Sequence, residues 1–326
     1  MTCRLNARSL ARVQSPAYPA WGTRGERARM PVHELAALGA AACWAITGIL
    51  SQSAAQALGP FGFNRLRQAM VAVMLAAIVI ATGRWQGISA EDLWRLSLSG
   101  VIGIFLGDTL LYVALIRLGP RRSGALFALN APMAALMGWL ALGEELSLPA
   151  VLGVALSTAG VAMAVLGRAG RSGGHRFEAV QGSVWIASGF GLMAAAGQAL
   201  GSLIARPVMA AGFDPYVASL VRVGVAVACL ILLMALPLRA VQPLGRPTPR
   251  VMVLTALSGL IAMVTGMTLL MFALQGGKVG IVSTLSALSP VLILPVLWAM
   301  TGARPSATSW AGALIAVAGM ALLFLR

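Results

Sequence analysis

Charge is what this sequence has least of: 10% of its 326 residues are charged, against 59% that are hydrophobic. A soluble globular domain carries about a quarter charged residues, so water is the wrong solvent for this chain. Histidine and cysteine are nearly as scarce. His33 and His175 stand outside or at the edge of apolar runs, and Cys3, Cys43 and Cys229 show no C-x-x-C or Cys/His spacing. A disulfide framework and a metal site are therefore not expected, and Cys43 and Cys229 read as buried small hydrophobes. No G-x-x-x-x-G-K-[ST] occurs, which excludes ATP hydrolysis by a P-loop. No catalytic residue and no cofactor is assigned. The formal net charge of +15 sits in the N-terminal stretch and in short loops. No basic stripe is interleaved with aromatics, so nucleic acid is not the partner. Arginines flanking apolar runs serve instead as interfacial anchors and topology signals.

What the chain has in quantity is long apolar runs. About twenty apolar residues cross a hydrocarbon core of about 30 Å. On that ruler ten segments emerge, near 35–55, 63–82, 96–116, 123–142, 148–166, 182–204, 216–236, 250–274, 279–300 and 307–325. Backbone polar groups cannot be left bare in lipid, so each is expected to be helical. Trp85, Trp94, Trp185 and Trp310 fall near segment ends, where interfacial aromatics belong. Residues 1–34 form an Arg-rich tail without the apolar region of a secretory signal peptide. Three readings of it stay open: a disordered tail, an over-extended start with Met30 as the first residue, or a transit-like peptide.

The second half of the chain repeats the first. Residues 98–147 align without a gap onto 257–306 at a constant offset of 159, with about sixteen of fifty positions identical. LSGVIGIFLGDTLLYVAL meets LSGLIAMVTGMTLLMFAL, with Gly107/Gly266, Thr109/Thr268, Trp139/Trp298 and Gly143/Gly302 shared. The register continues through Gly153/Gly312 and Gly160/Gly319, and Pro60 with Arg67 matches Pro215 with Arg222, seven residues apart in both. The division is then a tail at 1–34, a first repeat at 35–167, a linker at 168–181 and a second repeat at 182–326. Five spans per repeat force the second to enter the membrane in the opposite sense. The expected fold is thus all-α integral membrane, ten transmembrane helices as two inverted five-helix repeats. Repeats of that kind build transporters with a substrate site near the midplane.

The doubled pattern resembles the drug/metabolite transporter superfamily, specifically its ten-span proteins with two EamA-type domains. The stretches that carry the resemblance are ALGAAACWAITGIL, GPFGFNRLRQAM and GDTLLYVALIRLGPRRSGALFALNAPMAALMGWLALGEELS. It covers nearly everything from residue 35 to 325. It implies a multi-pass carrier of the inner cell membrane for amino acids, drugs or other metabolites, with both termini cytoplasmic and efflux common. ARPS at 303–306 departs from the pattern by replacing the GE-type ending seen at Glu144.

Polar residues inside the segments are the site candidates. Asp108 lies near the centre of the third, where an ionised carboxylate costs on the order of 3 kcal/mol. Alternate protonation there is what proton-coupled transport requires, and its repeat counterpart is Met267. The structural alternative is a neutral acid bonded to a neighbouring helix. Arg67 and Arg222 sit about 10 Å along their helices from a proline. They read as snorkelling anchors, as partners of a substrate carboxylate, or as counter-ions of Asp108. Asn130 and Ser289 correspond and adjoin Pro132 and Pro290, prolines that interrupt a span. Trp44, Tyr112, Gln198, Ser202 and Thr268 are candidates to complete a mostly apolar cavity. Gly103/Gly107 and Gly197/Gly201 have GxxxG spacing and read as packing, and Glu144 and Glu145 as a solvated helix end.

The expected function is a secondary transporter of a small metabolite, working by alternating access. Its partners are a small-molecule substrate, the lipid bilayer and protons coupled through Asp108, and the chain is a monomer or homodimer. The alternatives are a membrane-embedded lipid-modifying enzyme, which needs clustered His, Asp, Glu or Cys, and a passive channel.

Overall fold

The computed structural model describes residues 31–85, 87–166, 182–234, 244–289, 291–292, 294 and 306–324. Of the features read from the sequence, the stretch up to Met30, the linker 168–181, His175, Pro290, Trp298 and Gly302 lie outside them. A backbone in lipid must satisfy its N–H and C=O groups within its own segment. Among the described residues all regular structure is accordingly helical. Val32–Arg326 forms one compact unit.

Among the described residues, eleven helical stretches have both bounds defined. They are α1 Val32–Ala81, α2 Ala90–Ser99, α3 Thr109–Phe127, α4 Asn130–Leu142, α5 Leu148–Leu166, α6 Val184–Ala210, α7 Pro215–Met234, α8 Pro249–Gly259, α9 Thr268–Gly276, α10 Val279–Ser286 and α11 Ala307–Phe324. Among the described residues, six helices are long and apolar enough to cross a membrane: Ser53–Ala81, Ala90–Leu118, Arg122–Leu142, Val184–Ala210, Pro215–Met234 and Pro249–Gly276. Val32–Thr47, Leu148–Ala164 and Ala307–Leu323 are shorter apolar helices. The chain is a multi-pass helical membrane protein.

Local chemistry sets the boundaries. The expected gap between the first two segments is a single break: Gly59, at φ 75° and ψ 166°, parts α1 into arms 32–58 and 60–81. Only glycine takes that conformation cheaply, and Pro60 then opens the second arm, where a missing N–H costs nothing. Ser89 caps α2 by accepting from the Asp92 N–H, and Asp214 caps α7 by accepting from Tyr216 and Val217 N–H groups at 2.8 and 3.1 Å. The helix pair α3–α4 is interrupted at 128–129, where the Asn130 side chain donates to the Phe127 carbonyl at 2.6 Å. The corresponding residues 287–288 interrupt the helix after α10.

Two stretches depart from α geometry. Gly100–Asp108 joins α2 to α3, and Leu260–Met267 joins α8 to α9, as wider π-helical turns. At the offset of 159 they occupy equivalent positions, so this irregularity is duplicated with the sequence. Such turns are frequent at functional sites.

Helices meet through small residues, because apolar side chains gain little from leaving lipid for one another. A Cβ on Gly153 would lie 2.8 Å from the Gly319 carbonyl oxygen, and one on Gly160 would lie 2.7 Å from that of Gly312. Gly153 corresponds to Gly312 and Gly160 to Gly319. Each glycine therefore meets the counterpart of the other, which makes α5 and α11 antiparallel neighbours about a local two-fold axis. The GxxxG pairs pack as expected: a Cβ on Gly103 would lie 3.4 Å from Gly201 Cα, and one on Gly197 would lie 3.4 Å from Gly107 Cα. Trp85, Trp94, Trp185 and Trp310 are exposed on the helix ends.

Candidate functional site

The polar cluster forms where the 60–81 arm of α1 meets the π-helical turn at Asp108 and the start of α3. Asn64, Arg67 and Gln68 fall at i, i+3 and i+4, on one helix face. Arg67 Nη2 donates to Asp108 Oδ2 at 2.8 Å, and Gln68 Nε2 donates to the same oxygen at 3.1 Å. Asn64 Nδ2 donates to Thr109 Oγ1 at 3.1 Å, and Asn64 Oδ1 accepts from Gln68 Nε2 at 3.3 Å. The guanidinium also lies over two rings, 5.1 Å from the centroid of Tyr112 and 5.6 Å from that of Phe63. Those rings meet edge to face at 5.1 Å.

The arrangement exchanges the solvation of a carboxylate and a guanidinium for each other and for fixed dipoles. Arg67 is buried, with its side chain 5% exposed against 14% for Asp108. The expectation that Arg67 snorkels to the interface is thereby corrected. Asp108 is thus bonded to the neighbouring 60–81 arm through Arg67 and Gln68, a geometry that both the coupling reading and its structural alternative expect.

The second half repeats this geometry with different chemistry. Arg222, counterpart of Arg67, is fully buried, and its Nη1 donates to the thioethers of Met267 at 3.1 Å and Met271 at 3.3 Å. Met267 corresponds to Asp108, and Met271 to Tyr112. Thr268 Oγ1 donates to Ser219 Oγ at 3.4 Å, as the counterpart of the Asn64–Thr109 pair. One half holds a cation with a carboxylate, the other a cation with two weak sulfur acceptors. Arg222 is no surface anchor either.

The remaining candidates divide. Tyr112 belongs to the cluster, and Thr268 to its counterpart. Trp44 Nε1 donates to the Ala262 carbonyl at 2.9 Å, bracing the second π-helical turn. Gln198 and Ser202 are buried on α6 beside the first, with Gln198 N 3.7 Å from where a Gly107 Cβ would be. Asn130 is buried but serves its own helix junction, and Ser289 is half-buried in the corresponding place. Neither of these two joins Asp108. Sequence reasoning missed Asn64 and Gln68, although a polar i, i+3, i+4 row inside an apolar run was the signal.

Glu144 corrects another expectation. It is no solvated helix end: Gly143, at φ 63°, turns the chain so that Glu144 Oε2 accepts from the first N–H of α10, Val279, at 2.8 Å. Its Oε1 pairs with Arg206 Nε at 3.4 Å, and Lys278 Nζ donates to the Glu145 carbonyl. A carboxylate suits a helix N-terminus. Burial nonetheless pushes the Glu144 carboxyl above its ordinary range, against the lowering influence of the Val279 N–H, Arg206 and Lys278. On the same side Arg84 pairs with Asp214 at 3.1 Å and lies over Tyr216. Glu144–Val279, Glu144–Arg206, Glu145–Lys278 and Arg84–Asp214 thus tie first-half residues to second-half ones at this end.

Comparison with known proteins gives these features a family. The model of the EamA-like transporter family matches the chain twice, over residues 32–166 and 185–325. The chain belongs to the EamA-like transporter family, as the resemblance to the drug/metabolite superfamily implied. Its fold is shared with a solved crystal structure at a TM-score of 0.74 and 20% identity, covering 91% of this chain and 98% of that one. No curated protein matches in sequence.

Proposed function

We propose that this membrane transporter is a secondary carrier that exports a small metabolite by alternating access between two inverted five-helix halves. Protons taken up through Asp108 drive it. The observation that carries this reading is the Arg67–Asp108 ion pair at 2.8 Å, held by Gln68 inside the apolar interior and reproduced without its carboxylate in the other half. An ionised Asp108 holds Arg67. A proton arriving there neutralises the partner, frees the guanidinium and removes the tie between the 60–81 arm and α3. Exchange of the two then requires that substrate bind the state with Asp108 ionised and leave from the state with Asp108 protonated.

The exchanged glycine contacts of α5 and α11 support the inverted arrangement, because equivalent helices running antiparallel are what opposite insertion produces. The Glu144–Val279–Arg206 and Arg84–Asp214 links support a closed state at the end where they lie. The test is flux in proteoliposomes with a panel of amino acids, amphipathic cations and neutral metabolites. A carrier gives flux that saturates and is stimulated by substrate on the far side. Linear flux without that stimulation would identify a channel instead.

A further inference from the structure

The two halves hold two arginines and one carboxylate at equivalent places. Arg67 has Asp108. Arg222 has 0% of its surface exposed, and only its Nη1 is partnered, by thioethers that are weak acceptors. Its Nε and Nη2 have no hydrogen-bond partner. Nη2 lies on the side of Gly103, where a Cβ would come within 3.0 Å of it. A buried guanidinium with unmet donors is costly, and Met267 stands where the other half has Asp108, so no acid of the chain occupies the place that would satisfy it. The cluster therefore carries one positive charge more than it balances.

We infer that Arg222 is the docking point for the carboxylate of the transported molecule. Its two unpartnered donors, Nε and Nη2, lie on adjacent corners of the guanidinium and form the fork that grips two carboxylate oxygens. Met267 and Met271 form the adaptable apolar wall beside it. The substrate class is a small organic monoanion or an amino acid held by its carboxylate. Arg67 is not that residue, because Asp108 already occupies it. The inference rests on the carrier reading in one respect: the site is enclosed in this state, and only a state that opens admits a ligand.

The test melts the purified protein with matched pairs of a carboxylate and its amide. The panel holds amino acids and short monocarboxylic acids, with chloride as the inorganic anion. At about a hundredfold above Kd, a bound carboxylate raises the melting temperature by about 3 °C, while its amide leaves it unchanged. Arg222→Gln loses the response. Met267→Asp guards against simple misfolding, since it gives Arg222 the internal partner that Asp108 gives Arg67. That variant melts no lower than wild type and is blind to carboxylates. The inference is overturned if no acid in the panel shifts the melt, if amides match acids, or if chloride alone gives the full shift. It is overturned equally if Met267→Asp still responds. A carboxylate bound through Arg222 but not transported in liposomes keeps Arg222 as an anion site and overturns its assignment to the transported molecule. An uncharged solute carried at an unaltered rate by Arg222→Gln does the reverse.

Discussion

At the scale of single residues, Asp108 and Arg67 matter through each other. Removing one member of a buried pair strands the other charge, at about 3–5 kcal/mol, while removing both together costs far less. Asp108→Asn and Arg67→Gln should each lower unfolding stability by that order, and the double variant should recover most of the loss. Strictly additive losses in a double-mutant cycle would mean that the 2.8 Å contact carries no coupling. Asp108 was legible in the sequence because an acid in the middle of an apolar run has no cheap excuse. Its partner was not, since one chain of residues does not say which of Arg67 and Arg222 lies near it. Burial decided against surface anchoring for both, and burial is a property of packing rather than of spacing. The Arg222–Met267–Met271 cluster was illegible for the same reason: methionine in a span reads as filler until a guanidinium is seen beside it.

At the scale of elements, the long apolar helices and the doubled sequence were readable because period and length are written in composition. The π-helical turns were not, because a shift in hydrogen-bond register leaves no compositional mark. Nor was the pairing of α5 with α11, although the glycines that permit it were visible. Their close approach makes a sharp prediction. A Cβ on Gly160 or Gly312 would come within 2.3 Å of a backbone nitrogen of the facing helix. Gly160→Val and Gly312→Val should therefore reduce folded yield strongly and by similar amounts, while Gly189→Ala, with nothing within 4 Å, should leave it unchanged. An unchanged yield at either site would mean that this close approach does not set the packing of α5 against α11. The Glu144 link titrates. Its carboxyl is raised in the folded state, so the folded protein binds its proton more tightly than the unfolded chain does. This contribution is fully present below the ordinary glutamate range and is lost as pH rises through the raised value. Relative to Glu144→Gln, wild type should gain melting temperature on acidification from neutral pH; parallel pH profiles would show that Glu144 does not titrate in that window.

At the scale of the whole molecule, the order of helices and the short links between them predict which loops share a side. Following the chain back and forth, residues 83 and 212 lie at one end of the bundle, and residues 122 and 245 at the other. In a cysteine-free background, cysteines at Gly83 and Gly212 should react with an impermeant thiol reagent from one side of the membrane. Cysteines at Arg122 and Gly245 should react only from the opposite side. Labelling of all four from one side would dismiss the ten-span inverted arrangement. The central claim is that Asp108 couples proton movement to substrate movement. Its most direct measurement uses proteoliposomes loaded with a pH-sensitive dye, comparing wild type with Asp108→Asn while a transported solute is applied. Coupling through Asp108 predicts a solute-dependent pH change in wild type that vanishes in the variant. A variant that moves both solute and protons as wild type does would make Asp108 a structural partner of Arg67 and nothing more.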